Sequence, residues 1–387
     1  MIKQIKIQNF LSLKDVSLDL GLRNILVGPN MSGKSNIIRV FKFLTNVSLI
    51  GLVETITKEG GYSEILWKGI DEGKISISLT GEIILPNEQT PRIYEYEIAL
   101  VGSSITASFI IEKETLKRCD LGGDCILAEF RSGQGKGFHP DGTIAFEQKE
   151  RNEKSFLEYS VPGWEGMGAK ELFSRWRFYQ LIPFAMRQAN VTAKQYFLNI
   201  HGDNLSSWLH TLQTGYPDEY KRITQVIQDV LPDIVSIITP PTQMGTTLVQ
   251  IKEKYLKRPV NIWGISDGAL QFLALLSLIF APEELGAPLY CIEEPETHLH
   301  PQLIDSIVEI LLQIQQELGA KSAQIIITTH NPYLIDKLSL GDLVGVYKKD
   351  GSTKCTRGAQ KDKLKLLLEE GDLSLSDFWY SNALGEE

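Results

Sequence analysis

Two groups of residues in this 387-residue chain have types and spacing suited to phosphate chemistry. The first is a glycine loop, residues 28–36, which reads Gly-Pro-Asn-Met-Ser-Gly-Lys-Ser-Asn. Its glycines let backbone N–H groups wrap around an anion, Lys34 can reach the β- and γ-phosphates, and the Ser35 hydroxyl can ligate Mg²⁺. A helix that begins at this loop adds the positive end of its dipole. The pattern predicts a binding site for ATP or GTP.

The second group is a pair of acids, Glu293 and Glu294, which follows the apolar residues 289–292 and precedes Pro295. The end of a strand in an α/β sheet places such carboxylates at the ligand crevice. One acid could hold Mg²⁺ through water, and the next could orient and deprotonate an attacking water. Two surface acids on a loop are the alternative, which is weakened because Pro295 fixes the turn directly after them. The pair is therefore predicted to be catalytic.

A histidine and a serine add two further candidates. His330 ends the predicted buried strand at 325–329, where it could contact the γ-phosphate or simply face solvent, and the sequence leaves both open. Ser266, before Asp267 and Gly268, is typical of a helix N-cap. Its hydroxyl and the helix N–H groups could also form a second anion site. Because the chain has one glycine loop, that second site would need the γ-phosphate held by another chain.

The elements that must position these residues follow an α/β order. Residues 1–45 predict strand, turn, strand, loop and helix, and residues 74–149 alternate with the period of strands, with a mobile loop at 133–142. Two helices are predicted within 203–231, broken at 215–217, with Asp218 as an N-cap. Later elements are a helix at 267–280, a strand at 289–292, a helix at 301–318 and a strand at 324–328. We predict one large domain with a β-rich lobe at 1–165, a helical insert at 166–235 and a final lobe at 236–387.

Composition and cysteine spacing limit the partners, metal sites and cellular compartment that the sequence predicts. The net charge of −9 argues against attraction of the whole surface to DNA or anionic lipid, although a local basic groove stays possible. The cysteines at 119, 125, 291 and 355 are scattered, as is usual in a reducing cytosol, and their spacing does not suit zinc. His298 and His300 also lack a zinc-site spacing, so an interface loop is favoured there. The N-terminus lacks a signal peptide, and residues 269–281 are too few to span a bilayer, which predicts a cytoplasmic protein without membrane contact.

Taken together, these motifs resemble the ATPase heads of the ABC superclass outside the transporters, above all the RecF-like and overcoming-lysogenization-defect (OLD) branch, beside the SMC heads. Residues 28–36 match the Walker A loop, residues 266–268 the signature, and Cys-Ile-Glu-Glu-Pro-Glu-Thr-His-Leu-His-Pro at 291–301 the Walker B and D-loop. The opening at 7–15, the switch segment at 325–336 and the tail from Asp372 are similar as well. The resemblance implies a P-loop NTPase of ABC-head type with a mixed sheet.

The resemblance also implies residue roles. Glu294 would be the catalytic base and His330 the switch histidine, while Ser266 and Gly268 would cap the partner's γ-phosphate. Ser35, Glu293 and, as a Q-loop residue, Gln180 would bind Mg²⁺; an ordinary strand-end glutamine is the alternative for Gln180. The ATP-binding loop would comprise Asn30, Met31, Ser32, Gly33, Lys34, Ser35 and Asn36.

Three positions depart from the family pattern. Met31 stands where glycine is common, Leu11 where a basic residue is frequent, and Glu293 where aspartate is usual. The segment after His330 is too short for the Toprim nuclease of many OLD proteins, so we expect no nuclease activity from this chain alone.

The resemblance predicts an ATP-hydrolysing switch that closes as an ATP-sandwiched homodimer. It would regulate a separately encoded effector, with antiphage defence as the suggested setting. The alternative is a RecF-like DNA clamp in repair or recombination with slow hydrolysis. A transporter ATPase subunit is disfavoured by the long β-rich separation between glycine loop and signature.

Overall fold

The computed structural model describes residues 1–83, 91–120, 123–149, 153–358 and 374–380, and it divides into two compact units. The first unit comprises Met1–Trp176, Gln324–Ile326 and Ser339–Glu387. Its strands are β1 (Ile2–Phe10), β2 (Leu13–Asp19), β3 (Arg23–Val27), β4 (Glu72–Ile83), β5 (Arg92–Ser103), β6 (Ser108–Asp120), β7 (Gly123–Arg131), β8 (Gln134–Phe138), β9 (Ile144–Gln148), β18 (Leu343–Lys349) and β19 (Ser352–Arg357). Its helices are α1 (Lys34–Ile50), α2 (Leu52–Lys58), α3 (Tyr62–Ile65), α4 (Met167–Ser174) and α11 (Leu375–Tyr380).

An eight-stranded antiparallel sheet forms the β-rich part of the first unit, in the order β2-β1-β4-β5-β6-β7-β8-β9. Apolar side chains at alternate positions give these strands one buried face. Ile5 and Ile7 of β1 are fully buried, and they lie opposite the buried Leu18 and Val16 of β2. The alternation seen in the sequence therefore predicted these strands correctly.

The glycine-rich segment at 133–142 was predicted as a mobile loop, and that prediction is wrong for half of the segment, residues 134–138. Strand β8 lies there and pairs with both β7 and β9. A Cβ atom on Gly137 would lie 2.0 Å from the ring of Phe146, so glycine is needed where an aromatic ring covers the strand. The Phe146 ring packs edge-on against Trp164, with their centroids 4.9 Å apart.

Strand β3 and helix α1 frame the glycine loop within the first unit. The buried β3 pairs in parallel with β18, which pairs antiparallel with β19. Helix α1 buries one face, where Phe43 packs edge-on against Phe10 and Phe41 packs against Trp176. Burial of these rings fixes the helix axis, and with it the position of the loop that leads into α1.

The second unit comprises Arg177–Ala323 and Ile327–Leu338. Its strands are β10 (Arg177–Tyr179), β11 (Asn190–Val191), β12 (Ile234–Ile238), β13 (Thr246–Thr247), β14 (Gln250–Glu253), β15 (Val260–Asn261) and β16 (Leu289–Glu293). Its helices are α5 (Pro183–Met186), α6 (Leu205–Gly215), α7 (Pro217–Val230), α8 (Asp267–Ile279), α9 (Pro301–Leu318) and α10 (Pro332–Asp336). Strand β17 (Gln324–Thr329) gives its first three residues to the first unit and its last three to the second.

The predicted α/β elements of the second unit are confirmed closely. Helix α9 has the predicted bounds, α8 ends one residue earlier than predicted, and β16 and β17 each extend one residue further. Strand β10 pairs in parallel with β16, as expected for an α/β sheet. The division of the chain at residues 165 and 235 stays a prediction.

The break between α6 and α7 lies at the predicted place, but Asp218 is not the N-cap. Tyr216 precedes the helix, and Pro217 occupies its first position. Proline suits that position because its fixed φ is helical and its missing N–H would have no partner there. Among the described residues, no helix combines the length and the apolar character required to cross a membrane.

Candidate active site

The glycine loop joins β3 to α1 and has a conformation that requires Gly33. This residue has φ +108°, and a Cβ atom here would lie 2.0 Å from the Thr353 hydroxyl oxygen. The next residue, Lys34, is buried, and its Nζ donates hydrogen bonds to the carbonyls of Gly28 (2.8 Å) and Pro29 (3.0 Å). An ammonium held against loop carbonyls at a helix N-terminus is well placed to exchange them for phosphate oxygens.

Residues far along the chain support the loop from beneath. The Thr353 hydroxyl donates to the Ser32 carbonyl (2.8 Å), and its backbone N–H donates to the Ser12 carbonyl (2.8 Å). The Ser12 hydroxyl lies 2.7 Å from the Thr353 hydroxyl and accepts a 2.7 Å bond from the amide of Asn36. Asn30 and Ser35 are exposed above this network. The loop thus has the shape expected for binding a phosphate group, and the role of Ser35 as a Mg²⁺ ligand stays a prediction.

Met31 occupies a left-handed conformation, with φ +65°, in which an L-residue costs about 1–2 kcal/mol. Its side chain is 85% exposed, so it does not fill the loop. The residue departs from the family glycine while it keeps the backbone shape that glycine would adopt.

A cavity of about 360 Å³ lies beside the loop within the first unit. Asn36 of the loop lines it together with Leu11, Ser12, Trp67 and Lys348. The remaining lining residues are Arg39, Glu59, Glu64, Lys68 and Gly351. The cavity thus has cations at Arg39, Lys68 and Lys348, although Leu11 itself is apolar, and Arg39 and Lys68 form ion pairs with Glu59 and Glu64. Sequence analysis did not find Trp67 or Lys348, because neither belongs to a motif.

In the second unit, β16 ends at Glu293 and the chain turns sharply at Glu294. Glu294 has φ +45°, and its N–H donates to the carbonyl of Thr328 (3.0 Å). Its side chain is 52% exposed, with Oε1 lying 3.3 Å from Nε2 of His330. A strained backbone at an exposed carboxylate is characteristic of functional sites. The structure thus brings two predicted catalytic residues into contact.

Glu296 is a buried acid of the same turn to which the sequence gave no role. Its Oε1 accepts a hydrogen bond from the Thr329 hydroxyl at 2.5 Å. Burial raises the pKa of this carboxyl, while Thr329 and the backbone of His330 favour its charged form. The other oxygen, Oε2, is buried without a hydrogen-bond partner among the described residues. Three acids within four residues were the only sequence signal for it.

Gln180 directly follows β10, at the edge where β16 ends. Tyr179 lies opposite Ile292 in the parallel pair, so Gln180 and Glu293 follow on adjacent strands. Gln180 is exposed, and its backbone is held by Ile200 and His201. This position, next to Glu293 on the adjacent strand, suits a Mg²⁺-binding Q-loop residue. That role of Gln180 stays a prediction.

The signature segment, residues 266–268, forms the start of α8. Ser266 is the N-cap, its hydroxyl accepting from the Ala269 N–H (3.3 Å), and it is exposed. Arg187 holds Asp267 through a 2.6 Å ion pair. A Cβ atom on Gly268 would lie 2.8 Å from the carbonyl of His298, so the turn after the acids packs directly on the start of α8. The prediction that Ser266 is a helix N-cap is confirmed, and the residue is exposed.

A glycine loop before α1, adjacent acids after a parallel strand, and a histidine after the next strand define an ABC-type ATPase head. Two solved structures are similar in fold. One is an SMC head bound to the C-winged helix domain of ScpA (TM-score 0.54, 14% identity, 92% of this chain and 96% of that one). The other is the Smc head domain with an extended coiled coil, bound to the C-terminal domain of ScpA, from Pyrococcus furiosus. Its TM-score is 0.56 at 12% identity, and the match covers 96% of this chain and 99% of that one.

The chain belongs to the family described as "AAA domain, putative AbiEii toxin, Type IV TA system", whose model matches residues 23–336. It is also 24% identical over 406 residues to the Old nuclease of Escherichia phage P2. That alignment covers 98% of this chain and 64% of the nuclease, so the chain spans less than two thirds of this relative. The expected ABC-type ATPase head of the SMC and OLD type is confirmed.

Proposed function

We propose that this chain binds ATP with Mg²⁺ at its glycine loop and hydrolyses it with Glu294 as the general base. The observation that carries the proposal is the half-exposed Glu294 carboxylate, held on a left-handed backbone 3.3 Å from His330. A general base must be open to water and fixed in direction, and this carboxylate meets both conditions.

Different residues of the chain would bind phosphate, hold Mg²⁺ and activate water. Lys34 would exchange its two carbonyl partners for phosphate oxygens, and Ser35 with Glu293 and Gln180 would hold Mg²⁺. The metal supplies charge neutralisation at the phosphates when it is bound. Glu294 would orient a water molecule and accept its proton, while His330 would hold the carboxylate in direction.

Two substitutions test this function. Glu294→Gln should lower ATP hydrolysis by about a hundredfold or more, because the amide cannot accept the proton, while ATP affinity measured by calorimetry stays within about twofold. Lys34→Ala should abolish ATP binding.

Glu309→Gln, an exposed acid on α9, is the matched control for Glu294→Gln and should hydrolyse ATP at the wild-type rate. Normal hydrolysis by Glu294→Gln, or unchanged affinity in Lys34→Ala, would refute the assignment.

We further propose that two copies close on ATP, with Ser266 and Gly268 of each copy capping the γ-phosphate bound by the other. The exposed Ser266 hydroxyl at the start of the 13-residue helix α8 supports this arrangement. The closed dimer would regulate a separately encoded effector in antiphage defence. That setting rests on the resemblance to the OLD branch, and the relative found, of which the chain spans 64%, is a nuclease of Escherichia phage P2.

A second candidate function, the DNA clamp, is favoured by one surface. The hairpin of β14 and β15 exposes four cations, with Tyr255 78% exposed among them. The cations are Lys252, Lys254, Lys257 and Arg258. Such a surface in a chain of net charge −9 suits a phosphodiester backbone. DNA binding that weakens steeply with salt would favour this candidate.

A further inference from the structure

Two acids of one turn contact two consecutive residues of the neighbouring segment. Glu294 contacts His330, and Glu296, two residues later, accepts the hydrogen bond of Thr329. Pro295 lies between the acids, and its carbonyl accepts a 3.2 Å bond from the buried Gln271 of α8. The turn is therefore held to the last residue of β17 by Glu296, to the residue after that strand by Glu294, and to α8 by Gln271.

The two acid contacts differ in environment. The Glu294–His330 contact is exposed to water, where ion pairs are weak and easily broken. The Glu296–Thr329 bond is buried, because Thr329 is fully buried and Glu296 nearly so. Hydrogen bonds to charged groups are stronger there and do not compete with water. The buried bond is therefore the one able to fix where His330 lies, and the exposed contact can direct the Glu294 carboxylate only while His330 is held there.

Thr329 also fixes the turn that carries His330. Its hydroxyl oxygen accepts the Asn331 N–H (3.0 Å) while its proton goes to Glu296. Asn331 in turn caps α10, where its side chain accepts the N–H of Tyr333 (2.9 Å). His330 therefore lies between two residues whose side chains are both held by hydrogen bonds.

We propose that Glu296 is a positioning residue that, through Thr329, holds His330 in place against Glu294. This inference rests on the proposed ATP hydrolysis, since it deepens the role of the same turn. Glu296 does not contact the reacting atoms; it sets the distance between two residues that do.

The test removes the buried hydrogen bond without touching either catalytic residue. Thr329→Val and Glu296→Ala should each lower kcat by about tenfold to a hundredfold, the size of effect that misplacement by an ångström produces. ATP affinity should stay within about twofold, because the phosphate-binding residues are unchanged. Thr329→Ser and Glu296→Gln keep a hydroxyl donor and an oxygen acceptor, and should restore kcat to within about threefold of wild type.

Thr211→Val in α6 is the matched control. The Thr211 hydroxyl is also buried, donates to the Ser207 carbonyl (2.9 Å) and accepts the Gln195 N–H (2.9 Å). It should cost comparable stability in the same unit and leave kcat unchanged. An equal loss of kcat in Thr211→Val would reduce the effect to general destabilisation and overturn the inference.

Amide hydrogen exchange gives a readout without ATP. The Asn331 N–H should exchange faster in Thr329→Val and at the wild-type rate in Thr329→Ser and Thr211→Val. Unchanged exchange, or faster exchange with normal kcat, would overturn the positioning role. Failure of the proposed function is distinguishable, because it would appear first as a lack of Glu294-dependent hydrolysis in the wild-type protein.

Discussion

Left-handed backbone conformations occur at Met31 and Gly33 in the glycine loop and at Glu294 in the acid turn. Met31 and Glu294 pay about 1–2 kcal/mol for this geometry, since their Cβ atoms crowd the following carbonyl. The surrounding bonds, such as the one from the Glu294 N–H to Thr328, must offset that cost. Other residues also have a positive φ, such as Ala107 and Ser132, so it is the combination of this backbone with a phosphate-chemistry motif that points to function at Met31 and Glu294.

Gly33→Ala should lower the free energy of unfolding and abolish ATP binding, because the loop has no room for a Cβ atom at this position. The new methyl group meets both an unfavourable φ and the Thr353 hydroxyl. Gly142→Ala is the matched control, because Gly142 lies in the same unit, also has a positive φ (+84°) and has nothing within 4 Å of a new Cβ. In urea denaturation we expect a loss of about 1–2 kcal/mol for Gly142→Ala, and about 1–3 kcal/mol more for Gly33→Ala. ATP binding should be lost only in Gly33→Ala, and equal costs for the two variants would contradict the described packing.

The predictability of the site differs from residue to residue. Lys34, Ser35, Glu293 and Glu294 stand in short local motifs whose spacing encodes the chemistry, so the sequence pointed to them. Thr353 could not be found in this way, because the loop residue that it contacts, Ser32, lies 321 positions away in the sequence. Glu296 was visible as an acid, but its burial depends on how the turn packs, which local patterns do not specify.

At the scale of elements, β6 is joined to the turn Phe156–Glu158 by a fully buried acid, Glu114. Its carboxylate accepts hydrogen bonds from the Tyr96 hydroxyl (2.9 Å), the Ser155 hydroxyl and the Phe156 N–H (2.9 Å). Burial nevertheless dominates and raises its pKa from 4.5 to about 7. Because the folded pKa lies above the unfolded value, the stabilising effect of the bound proton is complete below about pH 4.5.

Stability should therefore fall as the pH rises from about 4.5 through 7, by up to about 3 kcal/mol from this group. Glu114→Gln should flatten that part of the curve of unfolding free energy against pH. The slope is the quantity to measure, because the glutamine amide nitrogen cannot accept the Phe156 N–H and absolute stability will change as well. Glu129→Gln on β7 removes a less buried carboxylate and should keep the slope. A slope preserved in Glu114→Gln would exclude Glu114 as its source.

Elements with a strong internal pattern were the predictable part of the fold. Helix α9 has Pro301 in its first turn, a sustained apolar stripe and Gly319 after its end. Both ends of the helix could therefore be predicted from the sequence. Strand β8 was missed because glycine usually marks loops, whereas here the Phe146 ring occupies the space of a missing side chain. Tertiary packing overrode a local preference at that strand, and no sequence pattern reports such packing.

At the scale of the whole molecule, ATP should convert the Glu294→Gln protein from monomer to dimer. The blocked hydrolysis keeps the γ-phosphate in place, so the proposed contact with Ser266 of the other copy persists. Light scattering with saturating ATP and Mg²⁺ measures the mass directly. A monomer under these conditions would refute the sandwich.

The serine contact itself can be tested in the same background. Ser266→Glu places a negative charge where a phosphate would approach, and should prevent dimers without loss of ATP binding. Thr57→Glu, at an exposed position on α2, adds the same charge elsewhere and should leave the dimer intact. Dimers that survive Ser266→Glu would show that copies associate by another surface.

The bond from Thr353 to the glycine loop also has a consequence for synthesis. The ribosome completes the Gly-Lys-Ser motif early, but the hydroxyl that supports Ser32 is added only when most of the chain has been translated. A nascent chain would thus carry the recognisable motif long before the motif is rigid. Affinity for nucleotide should appear late in translation, so partly made chains would not compete with finished protein for cellular ATP.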